Sequence, residues 1–374
     1  MVSKIKEKIS IQNILFILLC GLMLYYSAKF SGISNVKLMI IAGAYILIRS
    51  IYMGHLKFDM NMLVLFEGFV IKAMLDQHTG KAWKVPTTLA MPVLMYLLGK
   101  VIATVKYKKN EKKQYPLATI ARGEAFKPEP EQPPVMVASE LGSELRTWIF
   151  TVAIAIGLLG FARTMLAVTE GSVFQAFGYY VLPYSDEVMV DKYELWFGFI
   201  PVVSIVLACL AWSIDCLTRK CFATKEGLLK RKWIIYLAIY LVAFISFLVW
   251  YVRDIRFQAL KEAINLMITE HWGNFHFTVM PIDTSSNMWI DYYRESGILV
   301  GAFLIMFFVM IIKDAIQLVI NANVTIQTKT LLISMFTLFN IFYFIQSTAF
   351  DHQFFWFFGL MVSGMISTVK DKGH

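Results

Sequence analysis

Charge-free apolar runs recur along this chain, and they limit its possible folds more than any other feature. Residues 195–214 and 233–252 contain no Asp, Glu, Lys or Arg. A helix needs about twenty such residues to cross a bilayer core. Stretches approaching that description lie at 12–30, 37–53, 59–75, 86–105, 147–168, 195–217, 233–252, 296–318, 330–347 and 353–369. Only 16 % of the chain is charged and 58 % is apolar, against roughly 25 % and 45–50 % in ordinary domains. On these proportions a soluble enzyme, a disordered chain and a disulfide scaffold fall away. The expected fold is all-α, a polytopic integral membrane protein with about ten transmembrane helices.

The net charge of +9 is gathered in a few places. Lys4, Lys6 and Lys8 precede the first run. Lys106, Lys108, Lys109, Lys112 and Lys113 follow the fourth. Arg219, Lys220, Lys225, Lys230, Arg231 and Lys232 follow the sixth, and Lys370 and Lys372 end the chain. Basic loops stay on the cytoplasmic side, and with ten crossings every cluster falls there, placing both termini inside. The basicity then marks orientation, and no nucleic-acid partner is expected. No small-residue cleavage site follows Leu24, so the first run is expected to remain a helix. Cys20, Cys209, Cys216 and Cys221 lack metal-ligand spacing and are expected to be packing residues. Neither a metal nor a cofactor is implied.

The longest polar interruption runs from Gln114 to Ser143 and contains the Pro-rich stretch 127–134. Such a segment cannot bury enough apolar area to fold alone. Residues 114–146 are therefore read as a cytoplasmic linker. It joins a four-helix half, 1–113, to a six-helix half, 147–374, whose extracytoplasmic loop spans 253–293.

Two outward loops carry the candidate chemistry. In 169–194, Glu170, Asp186, Glu187, Asp191 and Glu194 stand among Tyr179, Tyr180, Tyr184 and Tyr193, with Trp196 just beyond. Aromatic rings beside carboxylates suit sugars, and they equally make an interfacial aromatic belt. In 253–293, Phe257, Leu260, Ile264 and Ile268 give the period of a short amphipathic helix lying on a membrane surface. Arg253 and Arg256, three apart, share a face. They could clamp a pyrophosphate or reach lipid headgroups from a helix end. Further on, Asn287, Asp291 and Glu295 repeat every four residues with Arg294 beside them, after a cap at Ser285 or Ser286. That face is either a salt-bridge cluster or a proton acceptor for an attacking hydroxyl.

Arg256, Gly273, Ser286-Asn287 and Glu295-Ser296-Gly297 stand in an order that resembles the O-antigen ligase and polymerase superfamily of bacterial membrane glycosyltransferases. The segment 192–198 also looks like a family loop entering a membrane helix. The likeness covers roughly residues 190–370. The family's His falls on Ser286 here, and its Ser-Arg-Thr-like element has only Ala162-Arg163-Thr164 as a counterpart.

The resemblance implies a multi-pass protein of the bacterial plasma membrane acting on a polyprenyl-pyrophosphate-linked glycan, with the lipid bilayer and other polysaccharide-assembly proteins as partners. It would polymerise or ligate glycan units into cell-surface polysaccharide. Charge grows on the departing pyrophosphate, so fixed cations stabilise the transition state. Arg256 would serve there first, then Arg253 and Arg163. Asp291 or Glu295 would orient or deprotonate the acceptor. Asn287, Arg294, Trp196 and His271 (or His276) would bind substrate, and His352 with Asp351 is placed lower. A transporter or flippase of a lipid-linked glycan is the alternative, followed by an acyltransferase of cell-surface glycans and a purely structural membrane subunit.

Overall fold

The computed structural model describes residues 43–45, 47–48, 51, 59–78, 90–103, 145–158, 192–221, 232–253, 257–258, 260–262, 264–265, 287–321, 324–345 and 353–370. Every longer element among them is a helix. We number these α1 (Met60–His78), α2 (Met91–Ile102), α3 (Leu145–Leu158), α4 (Lys192–Cys221), α5 (Lys232–Val252), α6 (Met288–Ile320), α7 (Ile326–Ile345) and α8 (Gln353–Val369). The linker expected at 114–146 falls outside the described residues except for its last two positions, which belong to α3.

Local chemistry explains where several of these helices begin. The Asp59 carboxylate accepts from Met62 N at 2.8 Å and caps α1. Pro92 stands in the first turn of α2, where its missing N–H costs nothing. Asn287 caps α6 from an extended conformation, its Oδ1 accepting from Trp289 N at 3.1 Å and Ile290 N at 3.3 Å. The cap is thus Asn287, one residue after the serines expected in that role.

Helix α6 folds back on itself. Gly297 has φ 79° and ψ 175°, a backbone that only glycine adopts cheaply. The short segment 288–296 then runs down the side of 298–320. Trp289 meets Phe308 with ring centroids 4.4 Å apart, although nineteen positions separate them in sequence. A straight helix would hold them about 28 Å apart.

The long arm of α6 packs against α1, α7 and α8, and α4 lies along α7. Helix α8 presses closely on α2. A Cβ on Gly99 would run into the Met361 carbonyl, and one on Gly364 into the Tyr96 carbonyl. The two backbones therefore meet where side chains are absent. The indole N–H of Trp148 in α3 donates to the Ile102 carbonyl and ties off the end of α2.

The ten-span expectation is overturned. Among the described residues two helices carry an apolar window long enough to cross a membrane, Phe199–Cys216 in α4 and Ser296–Ile320 in α6. The apolar stretches Met91–Ile102, Leu145–Leu158 and Trp356–Val369 are shorter. Twelve residues of α2 rise about 18 Å, well below the ~30 Å of a hydrocarbon core. The physical reason is that counting apolar residues does not separate those facing lipid from those facing another helix. In α8, Trp356, Phe358, Leu360, Met361 and Val362 are all buried against neighbouring helices. A multi-pass plasma-membrane placement with both termini inside rested on the ten crossings and falls with them.

Candidate functional site

The fold-back of α6 brings three elements to one end of the bundle. The Tyr251 hydroxyl, at the end of α5, donates to the Phe344 carbonyl at 2.8 Å. Asn287 Nδ2 donates to the same carbonyl at 3.4 Å. The Phe344 carbonyl in the last turn of α7 thus accepts from side chains of α5 and of the residue that caps α6. Asn287 is 1 % exposed and Asp291, in the first turn of α6, is 5 % exposed. A carboxylate there faces the favourable end of the helix dipole.

Aromatic rings line this junction. Phe308 lies 5.9 Å from Trp356, and Tyr292 also lies 5.9 Å from Trp356, centroid to centroid. Trp289 stands 6.5 Å from Phe344. The indole nitrogens of Trp289 and Trp356 and the Ser296 hydroxyl are buried and have no hydrogen-bond partner.

Of the residues singled out in the sequence, Asn287 and Asp291 are brought together here. Arg253 follows α5 as an exposed residue whose N–H donates to the Trp250 carbonyl at 3.1 Å, two positions from Tyr251. Arg294 and Glu295 belong to the short arm of α6, and Trp196 to the first turns of α4. Arg256, Arg163 and His271 lie outside the described residues, as do His276, Asp351 and His352. Residues 257–258, 260–262 and 264–265 are helical, with Phe257 packed 5.7 Å from the Tyr251 ring. Phe257 and Leu260 are half-buried while Gln258, Lys261, Glu262 and Ile264 are exposed; Ile268 lies outside the described residues.

A second polar group sits at the opposite end of the bundle and was not anticipated. Asn61 Nδ2 donates to Asp314 Oδ2 at 2.6 Å, and Lys370 forms an ion pair with the same carboxylate. Lys100 pairs with Asp59. Asn321 Nδ2 donates to the Lys370 carbonyl at 2.8 Å. Charges on α1, α2, α6 and α8 therefore meet where these helices end. In the sequence Asp314 and Lys370 stand 56 residues apart, and no local spacing announces the pair.

Among the described residues no three His, Cys, Asp or Glu side chains gather as a metal site would require. The chain matches no known family profile, no curated protein and no solved structure. Polymerisation or ligation of lipid-linked glycans depended on a large multi-span architecture. With two candidate spans among the described residues, that assignment is withdrawn, and the flippase alternative goes with it.

Proposed function

We propose that this chain works in contact with a lipid bilayer, through the outward faces of α4, α5 and α6. The observation that carries this reading is the outer surface of α6 beyond Gly297. Ile298, Ile305, Met306, Val309, Ile312 and Ile316 recur at helical spacing and are each at least 44 % exposed. The opposite face, with Val300, Leu304, Phe307 and Ile311, is buried. A helix facing water carries polar residues on its outer side, and one that is apolar all round is either enclosed or in lipid.

Helix α4 repeats the pattern with Val202, Val206, Leu210 and Trp212 outward. An enclosed core helix is mostly buried, whereas the apolar windows of α4 and α6 are 33 % and 39 % buried. On α5, Leu241, Val242, Ile245, Val249 and Trp250 are all exposed. Contiguous apolar surface on this scale marks an interaction with a membrane or a partner. Lipid is favoured because the exposed residues surround α5 and continue over two further helices. Arg253 stands where such a face would end, and a guanidinium there suits phosphate headgroups.

Flotation tests the reading. Full-length protein mixed with phosphatidylcholine vesicles and washed at alkaline pH is expected to rise with the lipid through a density gradient. Protein that stays at the bottom, dispersed without detergent, contradicts bilayer contact.

A further inference from the structure

We propose that the outward face of α1 docks a membrane-crossing helix of another protein, one with a single Lys or Arg in its apolar run that pairs with Glu67. The inference rests on bilayer contact and names a protein partner within it. Met60, Leu63 and Met74 are exposed, Glu67 is exposed between them, and Val70 is half-buried. Gly68 and Phe69, on the other side of α1, are buried against the bundle. Positions 60, 63, 67, 70 and 74 alternate steps of three and four. That is the seam spacing by which one helix packs on another.

Glu67 is the informative member. Asp59 and Asp314, the carboxylates where α1 begins and α6 ends, each pair with a lysine. Glu67 forms no ion pair or hydrogen bond with any described residue. Its depth makes that costly. A Cβ on the adjacent Gly68 would lie 2.9 Å from Phe303 Cβ, and Phe303 stands inside the apolar window Ser296–Ile320. Seven residues separate Phe303 from the start of that window, about 10 Å along the helix axis. Ionisable side chains at such depth are rare and mark a functional contact.

The chemistry of the occupant follows from that of the face. Water would solvate the carboxylate and leave Leu63, Phe66 and Met74 uncovered. Lipid chains would cover those three and strand the carboxylate. A helix with an apolar seam and one cation suits both parts, since a charge-assisted hydrogen bond gains strength where water is excluded. A polar residue at one seam position also selects partner and register. A second copy of this chain is disfavoured. Two α1 helices packed in parallel along the seam would bring Glu67 against Glu67, and like charges across an interface repel.

Energy transfer in phosphatidylcholine vesicles is the test. The full chain, with its own tryptophans as donors, is mixed with a dansyl-labelled leucine-rich helix of about twenty residues. One version of the peptide has Lys at its centre, a second has Leu and a third has Glu. The Lys peptide is expected to associate roughly ten-fold more tightly than the Leu peptide. Glu67→Gln is expected to erase that difference, and Glu67→Lys to transfer the preference to the Glu peptide. Because Glu67 is exposed, neither variant is expected to disturb the core. Equal association of all three peptides would overturn the proposal and leave the face to lipid. So would a preference for Lys that survives Glu67→Gln. Self-association of the chain that Glu67→Gln abolishes would assign the face to a second copy and equally overturn it. Flotation that succeeds while the peptides bind alike removes the docking face and leaves bilayer contact standing.

Discussion

Gly297 is the residue on which the site's geometry depends most. Its φ of 79° with ψ of 175° lies in a region essentially reserved for glycine, where another residue costs about 1–3 kcal/mol. Gly297→Ala is expected to lower the thermal midpoint in detergent and to loosen the packing of Trp289 on Phe308. Near-ultraviolet circular dichroism would register the second effect. Asp314 offers a separate test. Its carboxylate is 3 % exposed and is held by Lys370 and Asn61. Removing one partner of a buried pair typically costs ~3–5 kcal/mol, while replacing both with apolar residues is often neutral. Lys370→Met alone is expected to destabilise strongly, and Asp314→Leu with Lys370→Met to recover much of the loss, as read by chemical unfolding. A double variant as unstable as the single one would contradict this account of the pair.

At the scale of elements, the α2–α8 contact is set by backbone proximity. Gly99 and Gly364 each face a carbonyl of the opposite helix, and rigid backbone cannot move aside as a flexible side chain can. Gly364→Leu is therefore expected to separate α8 from α2. It would expose the Ile102 end of α2 to faster amide exchange, and Gly43→Ala, whose nearest neighbour is the mobile tip of Leu94, serves as a milder comparison. The positions of the helices were legible in the sequence because apolar runs such as 233–252 are also helix-length runs. The fold-back was not. Glu295-Ser296-Gly297 reads as the entrance to a straight apolar helix, and one glycine inside a helical pattern is normally tolerated. Trp289 and Trp356 carried no signal either, since burial of an indole N–H is a property of depth and not of spacing. Asn287 and Asp291 were found because their four-residue period is local.

For the whole molecule, composition spoke to hydrophobicity and not to its use. The chain spends its apolar residues twice: inward along α8, where Trp356 and Met361 are each 1 % exposed, and outward along α4 and α6, where Trp212 is 49 % and Val309 60 % exposed. No count of residues distinguishes these two uses, which is why ten crossings were expected and two candidate spans emerged among the described residues. The central claim is that the outward set meets hydrocarbon. Tryptophan fluorescence in bilayers brominated on the acyl chains tests it most directly, because Trp212 and Trp250 stand on the outward faces of α4 and α5. Bromine within contact distance is expected to quench the emission, and changing both residues to Phe is expected to remove most of that quenching. Emission untouched by brominated lipid, yet quenched by acrylamide from the aqueous phase, would contradict the account.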